Sequence, residues 1–264
     1  MSRAPSLFVS HGSPMFAVEP GRLGPLLERA GARFASARAV LVISPHWRSR
    51  GFEVGAAAAP ATVHDFAGFP DVVYRLSYDA PGAPGIASEV VAHLRAGGVD
   101  ARTNAVQGRD HGAWVPMRYL LPRADRPVLQ LSMPHDLDAA GAHALGRLLG
   151  PLRDLGIAVV GSGSLTHNLF EFRRAPSDPG YARSFADWAR DAVLARDDAV
   201  LVDYLVRAPH AQRAHPTDEH YLPLLVAAGA ARADDEPVHL DGGMTHGVLA
   251  MDSYLWDVAH GAGR

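Results

Sequence analysis

Short apolar runs closed by Gly, Pro or polar residues recur along the chain: Ser6-Leu7-Phe8-Val9, residues 39–43, residues 128–131 and residues 157–160. Continuous apolar runs of this length, bounded by turn formers, are the pattern of strands buried on both faces, and they predict one central sheet. Between them, apolar residues three and four apart predict helices over residues 23–34, 86–96, 140–155 and 181–194. Strands alternating with helices of this kind define an α/β layered fold. Pro81-Gly82-Ala83-Pro84-Gly85 and residues 175–180 are turn-rich, but neither is long or polar enough for an interdomain linker. The expectation is one domain over residues 1–264, with a hairpin appended near residues 50–80.

Composition narrows the function classes. Hydrophobic residues make up 48% of the 264 and charged residues 20%, enough apolar material for a packed core. Against 28 acidic residues stand 25 basic ones, a formal charge of −3 that would not collect a polyphosphate, so nucleic acid is not an expected partner. No window approaches the roughly 18–20 apolar residues of a membrane span, and the apolar stretch before His11 is too short for a secretory signal. A soluble, cytoplasmic protein is expected. Every basic residue is Arg and Cys is absent, which removes Schiff-base and phosphate-loop lysines, disulfides, thiolate metal sites and cysteine nucleophiles. What remains for chelation or proton transfer is carboxylate and 14 His.

Three of those histidines follow predicted strands: His11 after Val9-Ser10, His46 after Ser44-Pro45, and His167 after Gly161-Ser162-Gly163-Ser164-Leu165-Thr166. Ligands of open α/β sheets collect at the carboxyl ends of strands, so positions distant in sequence can converge there. One histidine in such a place is more often a turn residue; three, with Gly12, Ser13, Pro14, Gly161 and Gly163 beside them to bend the backbone and leave room, point to a ligand site. Glu219-His220 stands at the predicted start of a helix capped by Thr217 or its neighbour. There a positive dipole end favours neutral imidazole, and Asp218 and Glu219 could equally serve only the dipole. His111, in the Arg109-Asp110-His111-Gly112-Ala113-Trp114 loop, is either a proton-transfer group or a surface turn residue. The His64-Asp65-Phe66 loop could wall a pocket or simply pack down. Neither a Gly-x-Ser-x-Gly elbow nor a Gly-x-Gly-x-x-Gly fingerprint is present.

Taken in order, His11-Gly12-Ser13-Pro14-Met15, Ser44-Pro45-His46-Trp47, His64-Asp65-Phe66-Ala67-Gly68-Phe69-Pro70, Asp110-His111-Gly112, Thr166-His167-Asn168-Leu169 and Glu219-His220-Tyr221-Leu222-Pro223-Leu224 resemble the DOPA-dioxygenase branch of the class III extradiol ring-cleavage dioxygenases. The superfamily also contains the catalytic subunit of protocatechuate 4,5-dioxygenase, and the resemblance runs over about residues 5–255. It implies a mixed-sheet α/β domain with one mononuclear metal at the strand ends. By that resemblance His11, His46 and His220 match metal ligands. His167 matches a fourth ligand or an acid–base residue, and His111 a second proton-transfer histidine. The wider class uses a glutamate as third ligand, so Glu219 competes with His220 for that role; His220 is the expected one. Ser13, Trp47, His64, Phe66 and Tyr221 are the candidate substrate contacts, with Phe69 and Trp114 as further aromatic walls.

The implied chemistry is Fe(II)-dependent opening of a catechol ring by O₂, for a DOPA-like or related dihydroxyphenyl compound. A histidine near neutrality would take and return protons. An all-imidazole site also suits Zn²⁺, which has no redox chemistry, so a zinc-dependent hydrolase is the alternative. A non-catalytic metal- or small-molecule-binding protein is a third. Partners are then a small catechol and O₂, with no nucleic acid or membrane; a homo-oligomer is compatible with the sequence.

Overall fold

The computed structural model describes residues 3–172 and 180–258. Its elements run β1 (Ser6–Ser10), α1 (Leu23–Ala30), β2 (Ala39–Ser49), β3 (Phe52–Gly55), α2 (Asp71–Tyr74), α3 (Pro84–Ala96), β4 (Ala101–Asn104), α4 (His111–Leu120), β5 (Val128–Pro134), α5 (Ala139–Asp154) and β6 (Ile157–Gly163). There follow α6 (Leu169–Phe172), α7 (Gly180–Ala195), α8 (Asp198–Val202), α9 (Tyr204–Arg207), α10 (Ala211–Ala214), α11 (Leu222–Gly229), β7 (Asp235–Leu240), β8 (Met244–Thr245), β9 (Leu249–Ala250) and β10 (Ser253–Val258).

Eight strands form one mixed sheet in the order β4-β3-β5-β2-β6-β1-β10-β7. The central β5, β2, β6 and β1 are mutually parallel, whereas β3 and β10 join them antiparallel on either flank. β1, β5 and β6 are buried throughout, as parallel strands covered on both faces must be. Because the four central strands point the same way, the residues at and just beyond their carboxyl ends meet on one rim.

Two helices close that rim from opposite faces. Along β6, Gly161 and Gly163 lie under the carbonyls of Pro223 and His220, which a Cβ at either glycine would overlap. Ser162 between them reaches the other way, donating to the carbonyl of Gly112 in α4. Alternation along the strand therefore puts α11 on one face and α4 on the other. The room left by the two glycines is filled by backbone from α11 and the turn before it, not by the imidazole that follows them.

The predicted helices and strands match observed ones, with differences that have local causes. β2 runs on past Ile43 to Ser49 through a register shift, so His46 lies inside a strand rather than after one. The expected hairpin at residues 50–80 is absent: β3 pairs with β5 and β4 inside the main sheet, and the segment after it forms a long arm over the rim. The stretch at residues 109–114 expected as loop begins α4, with Asp110 as N-cap accepting from the Ala113 amide at 3.1 Å. α11 starts at Leu222, later than expected, because Asp218 to Tyr221 close a separate turn before it. Of the turn-rich residues 175–180, only Gly180 lies within the described residues, at the start of α7.

Candidate metal centre and active site

Five histidines converge on the rim. His11 stands one residue beyond β1, its amide bonded to the Gly163 carbonyl at 2.9 Å. A positive φ at Gly12 turns the chain away immediately after it. His46 comes from β2 and His111 opens α4. His167 is held by its amide on the Ala214 carbonyl (2.8 Å), and His220 by its carbonyl on the Ser164 amide (2.9 Å). Ring centroids are 4.0 Å apart for His46 and His111, 5.1 Å for both His11–His46 and His46–His220, and 5.5 Å for His11–His220. His167 stacks on His220 at 3.5 Å and 11°. Ligand atoms lie close enough to share an ion in two groups, His11-His46-His111 and His167-Glu219-His220.

The hydrogen-bond partners decide which nitrogen of each ring is free. His11 Nδ1 lies 3.0 Å from Ser162 Oγ, whose own proton goes to the Gly112 carbonyl, so Nδ1–H donates and Nε2 keeps its lone pair. His220 Nδ1–H donates to Glu219 Oε1 at 2.9 Å, and Thr217 Oγ1 donates to the same oxygen at 3.0 Å. His46 Nδ1 is 3.4 Å from Asp65 Oδ2. His46 Nε2 and His11 Nε2 then face one another at 3.2 Å as two acceptors. Two nitrogens each about 2.1 Å from one cation, about 100° apart at it, stand at this separation. Without a cation the pair is repulsive, so the donor set fits a divalent metal ion.

Burial favours the neutral form of His11, His46, His167 and His220, as ligation requires. His11 and His220 are pushed well below the ordinary imidazole value, first by burial and then by neighbouring histidines. His46 falls to about 3 and His167 to about 4, again mainly through burial; Glu219 partly opposes the fall at His167. Asp110 is pushed up by burial, while its oxygens accept from Ser44 Oγ (2.9 Å), Gln130 Nε2 (2.6 Å) and the Ala113 amide. It anchors α4 rather than facing the rings.

The remaining expected site residues divide. Phe66 stands edge-on to His111 at 5.6 Å, and His64, bonded through Nε2 to the Leu76 carbonyl at 3.0 Å, meets Phe66 and Trp114 edge-on. Both belong to the wall of the cluster. Tyr221 does not: it is fully buried, donates to the Leu201 carbonyl at 2.9 Å and packs on Tyr204 at 4.1 Å, so it is part of the core. Trp47, next to His46, takes the alternate face of β2 and lines a separate cavity with Phe52, Glu53 and Arg102. Ser13 lines a small cleft with Phe16, Arg22 and Met251 rather than pairing with the rings. Beside His167 lies a cavity of about 290 Å³ bounded by Leu169, Phe170, Pro216, Thr217 and Glu219. Sequence reasoning missed Ser162 and Asp65, because their partners are distant in sequence; an acidic residue directly after His64 was the one available sign.

A mixed α/β sheet with imidazoles gathered at its strand ends, where they could hold a metal ion, is the frame of an enzyme site. The family model for the catalytic LigB subunit of aromatic ring-opening dioxygenase matches residues 6–247, and the chain belongs to this extradiol ring-opening dioxygenase family. It is 35% identical over 256 residues to a protein of Beta vulgaris named 4,5-DOPA dioxygenase extradiol, covering 94% of this chain and 95% of that one. A protein of the same name from Escherichia coli (strain K12) is 36% identical over 256 residues, covering 95% and 93%. The crystal structure of an uncharacterized protein from Escherichia coli K12 superposes with a TM-score of 0.79 at 29% identity, covering 97% of this chain and all of that one.

Proposed function

We propose that the protein opens the ring of a catechol-type substrate with O₂, using one Fe(II) ion held by His11, His46 and His220. The observation that carries this reading is the pair of Nε2 lone pairs facing each other at 3.2 Å between neutral rings, His11 buried and His46 half-buried. His220 is preferred to Glu219 as third ligand because Glu219 Oε1 is already bonded to His220 Nδ1, the usual arrangement of a carboxylate that orients a ligating imidazole. An iron ion there supplies the redox chemistry that lets O₂ react with a ring; both oxygen atoms enter the product, so no further reductant is needed.

The chain's own residues do the rest. His111 takes the proton of a catechol hydroxyl and returns it as the ring opens, while His167, stacked on His220 beside the 290 Å³ cavity, serves as the second proton-transfer group. Phe66 offers its ring to the flat substrate from the His111 side. A DOPA-like dihydroxyphenyl compound fits the names of the relatives.

Anaerobic loading of apoprotein with Fe(II) or with Zn²⁺, followed by a catechol panel and air, tests the reaction. Stoichiometric O₂ uptake with a yellow product is expected from the iron sample alone. Silence across the panel with iron correctly loaded would overturn ring opening and favour the zinc hydrolase. His11→Ala and His46→Ala should each lose bound metal, whereas His111→Gln should keep it and lose about 10²–10⁴ in turnover.

A further inference from the structure

Asp65 reaches the histidine cluster from the arm between β3 and α2. Its Oδ1 accepts the backbone N–H of His111 at 2.8 Å and its Oδ2 faces the Nδ1 of the same residue at 2.9 Å. Two bonds from one residue to both oxygens fix the rotation of the carboxylate. The same Oδ2 is 3.4 Å from His46 Nδ1. An ionised carboxylate can only accept, so it dictates that these ring nitrogens carry hydrogen.

We infer that Asp65 is a positioning residue for ring opening: it holds the His111 proton on Nδ1 and thereby leaves Nε2 as the nitrogen that accepts from substrate. The inference rests on the reading of His111 as a proton-transfer group. Asp65 Oδ1 satisfies the first amide of α4, which the Asp110 cap on Ala113 leaves over, but helix capping does not account for Oδ2 on the ring nitrogen. Nor does the arm depend on it. Trp114 Nε1 donates to the Val63 carbonyl at 3.0 Å, the Val63 amide donates to the Arg109 carbonyl and the Arg109 amide to the Ala61 carbonyl, both at 2.8 Å. The buried Arg109 guanidinium binds the carbonyls of Tyr78, Ala80 and Pro81. The carboxylate is thus delivered on a scaffold that stands without it.

Asp65→Asn keeps the shape, but its one oxygen cannot accept from both N–H groups, and its NH₂ placed against His111 Nδ1 favours the other tautomer. In a serine protease triad the equivalent change costs about 10⁴ in turnover with geometry intact. The test is a ¹⁵N spectrum of histidine-labelled, Zn²⁺-loaded protein, with the His111 signals assigned by their loss in His111→Gln. Wild type should show the Nδ1–H form and Asp65→Asn the Nε2–H form. In enzyme kept saturated with Fe(II), kcat should fall at least about 10²-fold with KM within threefold; Asp65→Glu should recover part of it. An Nε2–H signal for His111 in wild type would overturn the inference without any Asp65 variant. So would kcat within threefold of wild type in Asp65→Asn, or activity fully restored to that variant by saturating Fe(II). If wild-type enzyme turned over no catechol, the proposed reaction would fail, while the spectra would still decide what Asp65 does to His111.

Discussion

Gly163 shows how little side chain the centre tolerates. The carbonyl of His220 passes so close to its Cα that a Cβ would overlap it, and Gly161 stands in the same relation to Pro223. Gly163→Ala is therefore expected to push the turn carrying His220 off β6. Overpacking of this kind costs about 1–3 kcal/mol, and metal affinity should drop with it, of order tenfold or more as when an orienting partner is lost. Thermal melting and metal titration read the two effects. Gly85→Ala, where nothing lies within 4 Å, is the control and should leave both unchanged or slightly raise stability. The glycines are visible in the sequence as turn formers. Their role as a seat for α11 is not, because the atoms they make room for lie more than fifty residues away.

At the scale of elements, the arm between β3 and α3 is the part that local pattern misjudged. It looks like a hairpin because Gly, Pro and aromatic residues punctuate it, yet a distant cation ties it down. Burial lowers Arg109 to about 10, still a cation at neutral pH, and its guanidinium also donates to the Val128 carbonyl at 3.1 Å. Arg109→Met should leave several buried carbonyls without a donor, at about 1–3 kcal/mol for each group left unsatisfied. Hydrogen exchange is expected to accelerate across residues 61–82 before the rest of the sheet opens, and His64, Asp65 and Phe66 should lose their places together. Unchanged protection of that segment would show that the arm is held by its apolar contacts instead. α4 was hidden for a related reason: Gly112 and Pro116 lower its helical propensity, and burial against β2 and β6 overrides that preference.

For the molecule as a whole, so many neutral buried imidazoles make the fold acid-sensitive. His215 is the cleanest case: fully buried, its Nε2–H on the Leu165 carbonyl at 2.8 Å, it is lowered by burial to about 4. Below about pH 6.5 the unfolded chain binds a proton there that the folded chain refuses, so stability falls as pH drops from 6.5 towards 4. The loss at His215 alone is about 3 kcal/mol. His11, His46, His167 and His220 act with the same sign. Urea denaturation of metal-free protein between pH 7.5 and 5 should show this decline, and His215→Gln should reduce its slope by about one proton; flat stability would contradict the neutral burial of these rings. The α/β class, the order of the histidine motifs and the exclusion of cysteine and lysine chemistry were all determined by the sequence, because periodicity, composition and residue identity are local properties. Only the tertiary structure decided that Asp65 meets the His111 ring and Ser162 the His11 ring, that Glu219 Oε1 lies on His220 Nδ1, and that Trp47 lines a separate cavity while Tyr221 packs in the core. Those outcomes depend on strand register, the path of the arm and the approach of α11 to β6, all of them contacts between residues far apart in the chain.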